Sequence, residues 1–216
     1  AEFITIETPD NITGLVKVEI NDKNYTAFIN EGKGNLTVYD LSAGEYNVTV
    51  YFEGNNRYLP AASPKNNFTV SKTTTGIVIV PQNITYGESE TIVIYIDATG
   101  TVNVTVDTYE VLNKEIQSGK VIVEVPGFLT AGNYTVHVDY NGNANYTSTS
   151  AEENFTVAKA DPVMAVDVQN ITYGGVEYII VNVKSSGNVT IKVNGTETTI
   201  VLEEGPGGKA ILRAIV

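Results

Sequence analysis

The sequence has no cysteine and no tryptophan, and its 216 residues include one histidine and one methionine. Without cysteine the chain has no disulfide bonds and no thiolate metal ligands, so redox chemistry says nothing about its compartment. Basic residues number 13 against 25 acidic ones, which gives a net charge of −12. This negative charge argues against binding to nucleic acid or to an anionic membrane surface.

Long apolar runs are also missing from the chain. No stretch approaches the roughly 20 apolar residues that span a bilayer, and we find no signal peptide. We therefore expect no direct membrane insertion and interpret the sequence as a mature form or an excised piece. Thr, Val, Ile and Asn are abundant, together with 13 Tyr, and this composition is typical of β-strands.

A repeated segment organises the chain. Residues 129–134 read Leu-Thr-Ala-Gly-Asn-Tyr, and residues 41–46 read Leu-Ser-Ala-Gly-Glu-Tyr, 88 residues earlier. A repeat of this length is a domain rather than a solenoid coil. After each Tyr, apolar and polar residues alternate as in a strand with one buried face. Tyr46 and Tyr134 resemble the tyrosine corner of immunoglobulin-like sandwiches, in which the hydroxyl bonds back to nearby backbone.

Three copies of the domain follow from this repeat. Residues 73–159 form a complete copy, residues 1–72 lack its first strand, and residues 160–216 lack its last two. Short strands with turns at regular spacing predict an all-β fold of tandem immunoglobulin-like β-sandwiches. The complete copy has seven predicted strands: 77–80, 92–96, 102–106, 109–116, 120–125, 134–140 and 154–157. No Gly/Ser-rich linker separates the copies, so we expect a fairly stiff rod.

The incomplete copies have a physical consequence. A sandwich without its last two strands leaves an apolar face and a sheet edge open to solvent. Either the sequence is a slice of a longer array, or a neighbouring chain supplies the missing strands by β-augmentation. We favour the slice.

The tripeptide Asn-x-Thr recurs 13 times, always with Thr, and in twelve cases the middle residue is apolar or aromatic. On a strand, that spacing turns the middle side chain inward and both Asn and Thr outward. One interpretation is N-glycosylation of an exported chain. The other is that Asn and Thr serve simply as outward polar residues. The candidate sites are Asn11, Asn24, Asn35, Asn47, Asn67, Asn83, Asn103, Asn133, Asn145, Asn154, Asn170, Asn188 and Asn194.

Several motifs together resemble the tandem Ig-like repeats of adhesin-like cell-surface proteins of methanogenic archaea, which are related to bacterial Ig-like repeats. They are Asn-Ile-Thr-Tyr-Gly, Gly-Asn-Val-Thr-Ile-Lys-Val-Asn-Gly, Leu-x-Ala-Gly-Asn-Tyr-Thr-Val, Tyr-x-Gly-Asn-x-x-Tyr and Asn-Phe-Thr-Val-x-Lys. The resemblance implies an extracellular, cell-surface protein with many such domains, no catalytic activity and no cofactor. It carries no agreed binding residues, so none are transferred.

The residues that could bind a metal, act in catalysis or form a crosslink have simpler structural explanations in this sequence. A lone outward His137 has no partner for metal binding or for a Ser/His dyad. Lys72 and Lys159 recur at the ends of last strands, where a solvated joint explains them better than an isopeptide crosslink. Oxygen-bearing residues 139, 141, 143 and 145 suggest calcium, but the first copy does not keep this spacing, and an Asn- and Gly-rich turn explains them through backbone preference alone, so we predict no metal. Scattered carboxylates at 97, 107, 110 and 115 do not mark a glycosidase cleft, and Tyr58 and Tyr146 are expected to pack against the domain end.

We therefore predict a non-catalytic structural module of an adhesin-like stalk, with neighbouring domains of the same protein as its partners. An alternative is a subunit of an extracellular filament or sheath, whose incomplete domains are completed by neighbouring subunits through strand exchange. A second alternative is a module that binds a surface glycan or a protein ligand through its loops. Residues 107–120 differ most between the copies, so a ligand search begins there.

Overall fold

The computed structural model describes residues 1–9, 11–183 and 185–202, and the backbone of residues 209–215. Within that part of the chain every helix or strand element is a β-strand, which confirms the predicted all-β fold. No helix among these residues is long and apolar enough to cross a membrane. Contacts divide the chain into two units, Ala1–Ile84 with Glu88–Val157, and Thr85–Gly87 with Ala158–Val216.

The first copy is built from one connected sheet around its own core. The sheet order is β1-β4-β3-β2-β5-β6, and β7 pairs with β5. Alternation in β2 turns Val16, Val18 and Ile20 into the core, while Lys17 and Glu19 lie on the other face. The strands are β1 (Glu2–Glu7), β2 (Gly14–Ile20), β3 (Lys23–Asn30), β4 (Lys33–Val38), β5 (Gly44–Phe52), β6 (Ala61–Ala62) and β7 (Asn66–Val70).

The second copy is a two-sheet sandwich. One sheet has the order β13-β10-β8 and the other has the order β12-β11-β14-β15-β9. All inter-strand pairs with a described register in these sheets are antiparallel. The strands are β8 (Ile77–Val80), β9 (Ile84–Thr85), β10 (Glu90–Ile96), β11 (Thr101–Val106), β12 (Tyr109–Glu115), β13 (Lys120–Val125), β14 (Gly132–Tyr140) and β15 (Thr149–Ala158).

The core of the second copy lies between these two sheets. Ile92, Ile94 and Ile96 point inward from one sheet, and Val136 and Val138 point inward from the other. Burying each such side chain stabilises the fold by about 1.5 to 3 kcal/mol. The two sheets therefore hold together through the inward half of their alternating residues.

The third copy has five described strands. A three-stranded sheet has the order β16-β17-β20, and β18 pairs with β19. Asn194 and Gly195 both have positive φ, 46° and 87°, which suits the tight two-residue turn between β18 and β19. The strands are β16 (Met164–Asp167), β17 (Val176–Val183), β18 (Gly187–Val193), β19 (Thr196–Leu202) and β20 (Lys209–Ile215).

The strands differ from the sequence predictions in places. The predicted last strand, 154–157, runs over Thr149–Ala158, because residues 149–157 pair with β14. The predicted strand 109–116 corresponds to β12 and occupies much of segment 107–120, and Ile116 directly after it is buried in the core. The domain boundaries at 72–73 and 159–160 stay predictions. The described side chains form three cores, one within each predicted copy.

Replacing Ile94, which is fully buried, with Ala is expected to lower the free energy of unfolding of the second copy by about 2 to 5 kcal/mol, because a cavity replaces packed methyl groups. The matched change Val78→Ala, on an exposed side chain of the same sheet, is expected to stay within about 0.5 kcal/mol. Hydrogen exchange of the β10 and β13 amides measures both. Equal effects of the two changes would contradict the assigned core.

Candidate functional site

The Asn-x-Thr sites face outward, as their spacing predicts. The Asn is exposed at eleven of the thirteen sites, and only Asn47 and Asn103 are half-buried. Eleven of the twelve apolar middle residues are at least partly buried, and the exception is Ile171. The strand period therefore places these Asn and Thr side chains on the surfaces of the domains. Whether they carry sugar stays a prediction.

Two of these tripeptides face each other across adjacent strands. β14 and β15 align Asn133 with Thr156 and Thr135 with Asn154. The Thr156 hydroxyl donates to Asn133 Oδ1 at 3.0 Å, and the Thr135 hydroxyl donates to Asn154 Oδ1 at 2.8 Å. An antiparallel pair of Asn-x-Thr segments is thus self-complementary, and its cross-strand pairs support the sheet. These contacts give a physical basis to the interpretation that Asn and Thr serve as outward polar residues.

Three further Asn side chains of the motif bind backbone amides. Asn103 Oδ1 accepts from the Asn113 amide at 2.8 Å, beside a register shift between β11 and β12. Asn83 Oδ1 accepts from the Thr156 amide at 2.8 Å. Asn145 Oδ1 accepts from the Ala43 amide at 2.9 Å. Each of these oxygens therefore accepts a backbone donor.

The two predicted corner tyrosines bond back to nearby backbone. Tyr134 donates its hydroxyl to the carbonyl of Thr130 at 2.8 Å, and Tyr46 donates to the carbonyl of Ser42 at 2.9 Å. Their rings stack on Phe155 and Phe68, with centroid distances of 5.7 and 5.3 Å. Each Tyr therefore ties the turn before its strand to an aromatic ring on a paired strand.

Glu90 is a buried carboxylate that the sequence analysis missed. Its side chain is 1% exposed, and Oε1 accepts from the Gln82 amide at 2.6 Å. Glu177 and Gln169 make the same contact at 2.6 Å in the third copy. Burial raises the pKa of Glu90, and the hydrogen bond from Gln82 opposes that shift. The identical spacing of Gln and Glu in both copies was the available signal.

The remaining candidates do not form a reactive centre in the described residues. His137 binds Asp139 through Nε2 at 2.9 Å and Glu152 through Nδ1 at 3.0 Å, on an exposed strand face. Among the carboxylates considered for sugar cleavage, Asp97, Asp107, Glu110 and Glu115 are all exposed. The described chain has no cluster of three or more His, Asp or Glu suited to a metal ion.

The side chains considered for calcium, for a crosslink and for aromatic packing have other contacts. Asn143 Oδ1 accepts two backbone amides of its own turn, so it does not face an ion. Lys72 is exposed and donates to the backbone carbonyl of Asn143 at 2.7 Å rather than meeting a side-chain amide. Lys159 is exposed. Tyr146 packs against the core of the second copy, whereas Tyr58 is exposed.

Segment 107–120 borders an open groove rather than forming a binding loop. The groove has a volume of about 390 Å³, and Lys114, Glu115, Gln117 and Lys120 line it. Because β12 pairs with β11 along this segment, its backbone is part of the sandwich. A ligand search there should change exposed side chains and leave the backbone intact.

Comparisons with known proteins add little at the level of function. No protein-family profile matches the chain, and no curated protein matches it. Fibronectin(III)-like modules of Clostridium thermocellum CbhA align over 73% of this chain and 86% of theirs, with 14% identity and a TM-score of 0.33. Titin domains A168–A170 align over 99% of this chain and 86% of theirs, with 10% identity and a TM-score of 0.38. The assignment to tandem β-sandwiches follows from the sheets and cores described above.

Replacing Glu90 with Gln is expected to remove a pH dependence. A carboxyl whose pKa is raised by folding stabilises the fold below its ordinary value of 4.5 and loses that contribution as pH rises through the folded value. The wild-type second copy should therefore lose stability from pH 4.5 upward, and Glu90→Gln should lose less. Urea unfolding across this range measures the difference. If the free energy of unfolding depended on pH equally in the wild type and in Glu90→Gln, the raised pKa of Glu90 would be contradicted. Glu110→Gln, on an exposed side chain, is the control.

Replacing Tyr134 with Phe removes the corner hydroxyl and keeps the ring stacked on Phe155. The loss of one hydrogen bond is expected to cost about 0.5 to 1.5 kcal/mol. Tyr86→Phe, whose side chain is exposed, serves as the control. Thermal unfolding compares the stability of the two variants. If Tyr134→Phe and Tyr86→Phe were equally stable, the corner hydroxyl would have no structural role.

Proposed function

We propose that this chain is a non-catalytic structural module of an extracellular surface protein, a stalk built of immunoglobulin-like domains. The observation that carries the proposal is the alternation of inward and outward residues along the strands. Inward residues build successive cores, and Asn, Thr and acidic side chains recur among the outward residues.

The stalk acts by mechanics and by surface charge. Antiparallel strands carry load through their backbone hydrogen bonds, and the first two copies meet without an intervening linker. A net charge of −12 keeps neighbouring stalks apart through repulsion. Sugars on outward Asn residues add bulk and solubility at the same faces.

Labelling of intact cells that produce the protein tests the proposal. A membrane-impermeant lysine reagent should label the exposed Lys72 and Lys159 before the cells are lysed. Glycopeptide mapping of the recovered protein should find sugar at exposed sites without side-chain partners, such as Asn24 and Asn188. Labelling that requires lysis, together with unmodified Asn at every site, would overturn the proposal.

A subunit that accepts strands from a neighbour is the second candidate. In the third copy Val166 is 58% exposed, whereas Ile79, its counterpart in the second copy, is 8% exposed. An open cavity of about 490 Å³ lies beside Val166, Val168 and Val189. In the first copy Val48 is partly exposed, although its counterpart in the second copy is buried. Added strands would cover these apolar surfaces.

A synthetic hairpin with the sequence of residues 132–158 tests strand acceptance. Because β14 in the second copy pairs with β11, the hairpin is expected to bind the free edge of β18 and slow hydrogen exchange along that strand. A peptide with the same composition in scrambled order is the control. Equal binding of both peptides, or of neither, would remove this candidate.

A further inference from the structure

The loop between β14 and β15 spans residues 141–148, and its residues 141–147, which we call the tip, form an internally hydrogen-bonded turn. Asn143 Oδ1 accepts from the amides of Asn145 and Tyr146 at 2.8 and 3.0 Å. Gly142 has a φ of 77°, and a Cβ there would lie 2.8 Å from backbone atoms of Tyr146 and Ser148. Only glycine fits this position. The turn therefore holds one conformation without a partner.

The tip is also anchored to its own domain. Asn143 Nδ2 donates to the carbonyl of Thr99 at 2.8 Å, and the Tyr140 hydroxyl donates to the same carbonyl at 2.8 Å. Tyr146 packs against the core of the second copy. The position of Asn145 is consequently set by the core and not by the flexibility of a loop.

This preorganised tip meets the first copy at two separate points. Asn145 Oδ1 accepts from the Ala43 amide at 2.9 Å, in the turn that holds the Tyr46 corner. The Asn143 carbonyl accepts from Lys72 Nζ at 2.7 Å, just after the last strand of the first copy. The next residue, Thr73, donates its amide to the carbonyl of Asn145 and accepts from the Thr147 amide, both at 2.9 Å. The same short loop thus binds the corner turn and the connection.

We propose that the tip of one repeat and the corner turn of the repeat before it form a docking interface, and that Asn145 is its specificity-determining residue. The partner surface that the tip fits is a corner turn with a free backbone amide, like that of Ala43. Contact at both the corner and the connection fixes the angle between the first two copies. This inference goes beyond the proposed surface role, because it holds in any cellular location.

The first copy supplies a natural contrast at the same position. Its own tip has the same turn, since Asn55 Oδ1 accepts from the amides of Arg57 and Tyr58 at 2.8 and 2.9 Å. Arg57, however, stands where the second copy has Asn145. A guanidinium has five donors and no acceptor, so it cannot receive a corner amide. Asn at this position permits docking and Arg prevents it.

The docking contact of Asn145 also accounts for the Asn of one of the thirteen Asn-x-Thr motifs. Asn145 is part of a potential glycosylation site, yet its amide oxygen is committed to the joint. Thr147 contacts the carbonyl of Thr73 through its backbone amide at 2.9 Å and through its hydroxyl at 3.5 Å.

The test replaces Asn145 in the full chain, produced without glycosylation. Asn145→Arg should speed hydrogen exchange of the Ala43 amide about tenfold, because its acceptor is lost. Residual dipolar couplings should then report separate alignments for residues 1–72 and 73–157, where the wild type gives one. Asn145→Asp keeps an acceptor oxygen and should show the wild-type exchange rate of the Ala43 amide and the common alignment.

A matched control is Asn24→Arg, which adds the same charge at an exposed site of the same motif and should behave as the wild type. The proposal is overturned if Asn145→Arg leaves Ala43 exchange and the common alignment unchanged, or if Asn24→Arg alters them equally. Because these readouts involve no cell surface, they are independent of the proposed function.

Discussion

The two-residue period of the β-strand is the constraint on which this molecule depends. Each strand has one face to bury and one to expose, so every second residue must be apolar and the residues between must tolerate water. Val104 and Val106 illustrate the inward set, and Asn103 and Thr105 the outward set, within a single strand. The abundance of Asn-x-Thr is a direct product of this period. Glycosylation of these sites stays a prediction beside this structural pattern.

Side-chain oxygens stabilise the chain where strands begin, end or lose register. Backbone donors at those points have no ladder partner, and leaving them unpaired is costly when they are shielded from water. Glu90 accepts the Gln82 amide, Asn103 accepts the Asn113 amide, and Asn145 accepts the Ala43 amide. The same chemistry works within a strand connection, at a register shift and between two copies. In these three places a polar side chain stabilises the fold by pairing with a backbone donor.

Polar side chains that could take part in chemistry have partners in the described part of the chain. The one histidine is paired with two carboxylates on an exposed face, and the buried glutamate is bonded to backbone. These contacts support the fold of the second copy. The joint between the first two copies includes hydrogen bonds from the Ala43 amide to the Asn145 side chain and from Lys72 to the Asn143 carbonyl, so its geometry is directional.

The sequence alone determined the strand pattern, the repeat, the outward position of Asn and Thr and the corner tyrosines, because each depends on local periodicity or on a short motif. The buried Glu90, the groove beside β12 and the pairing of Asn133 with Thr156 depend on which strands become neighbours. The contact of Asn145 with Ala43 joins residues 102 positions apart. Only the tertiary structure decided these, since a hydrogen bond between distant residues is set by the packing of whole sheets and leaves no period in the sequence.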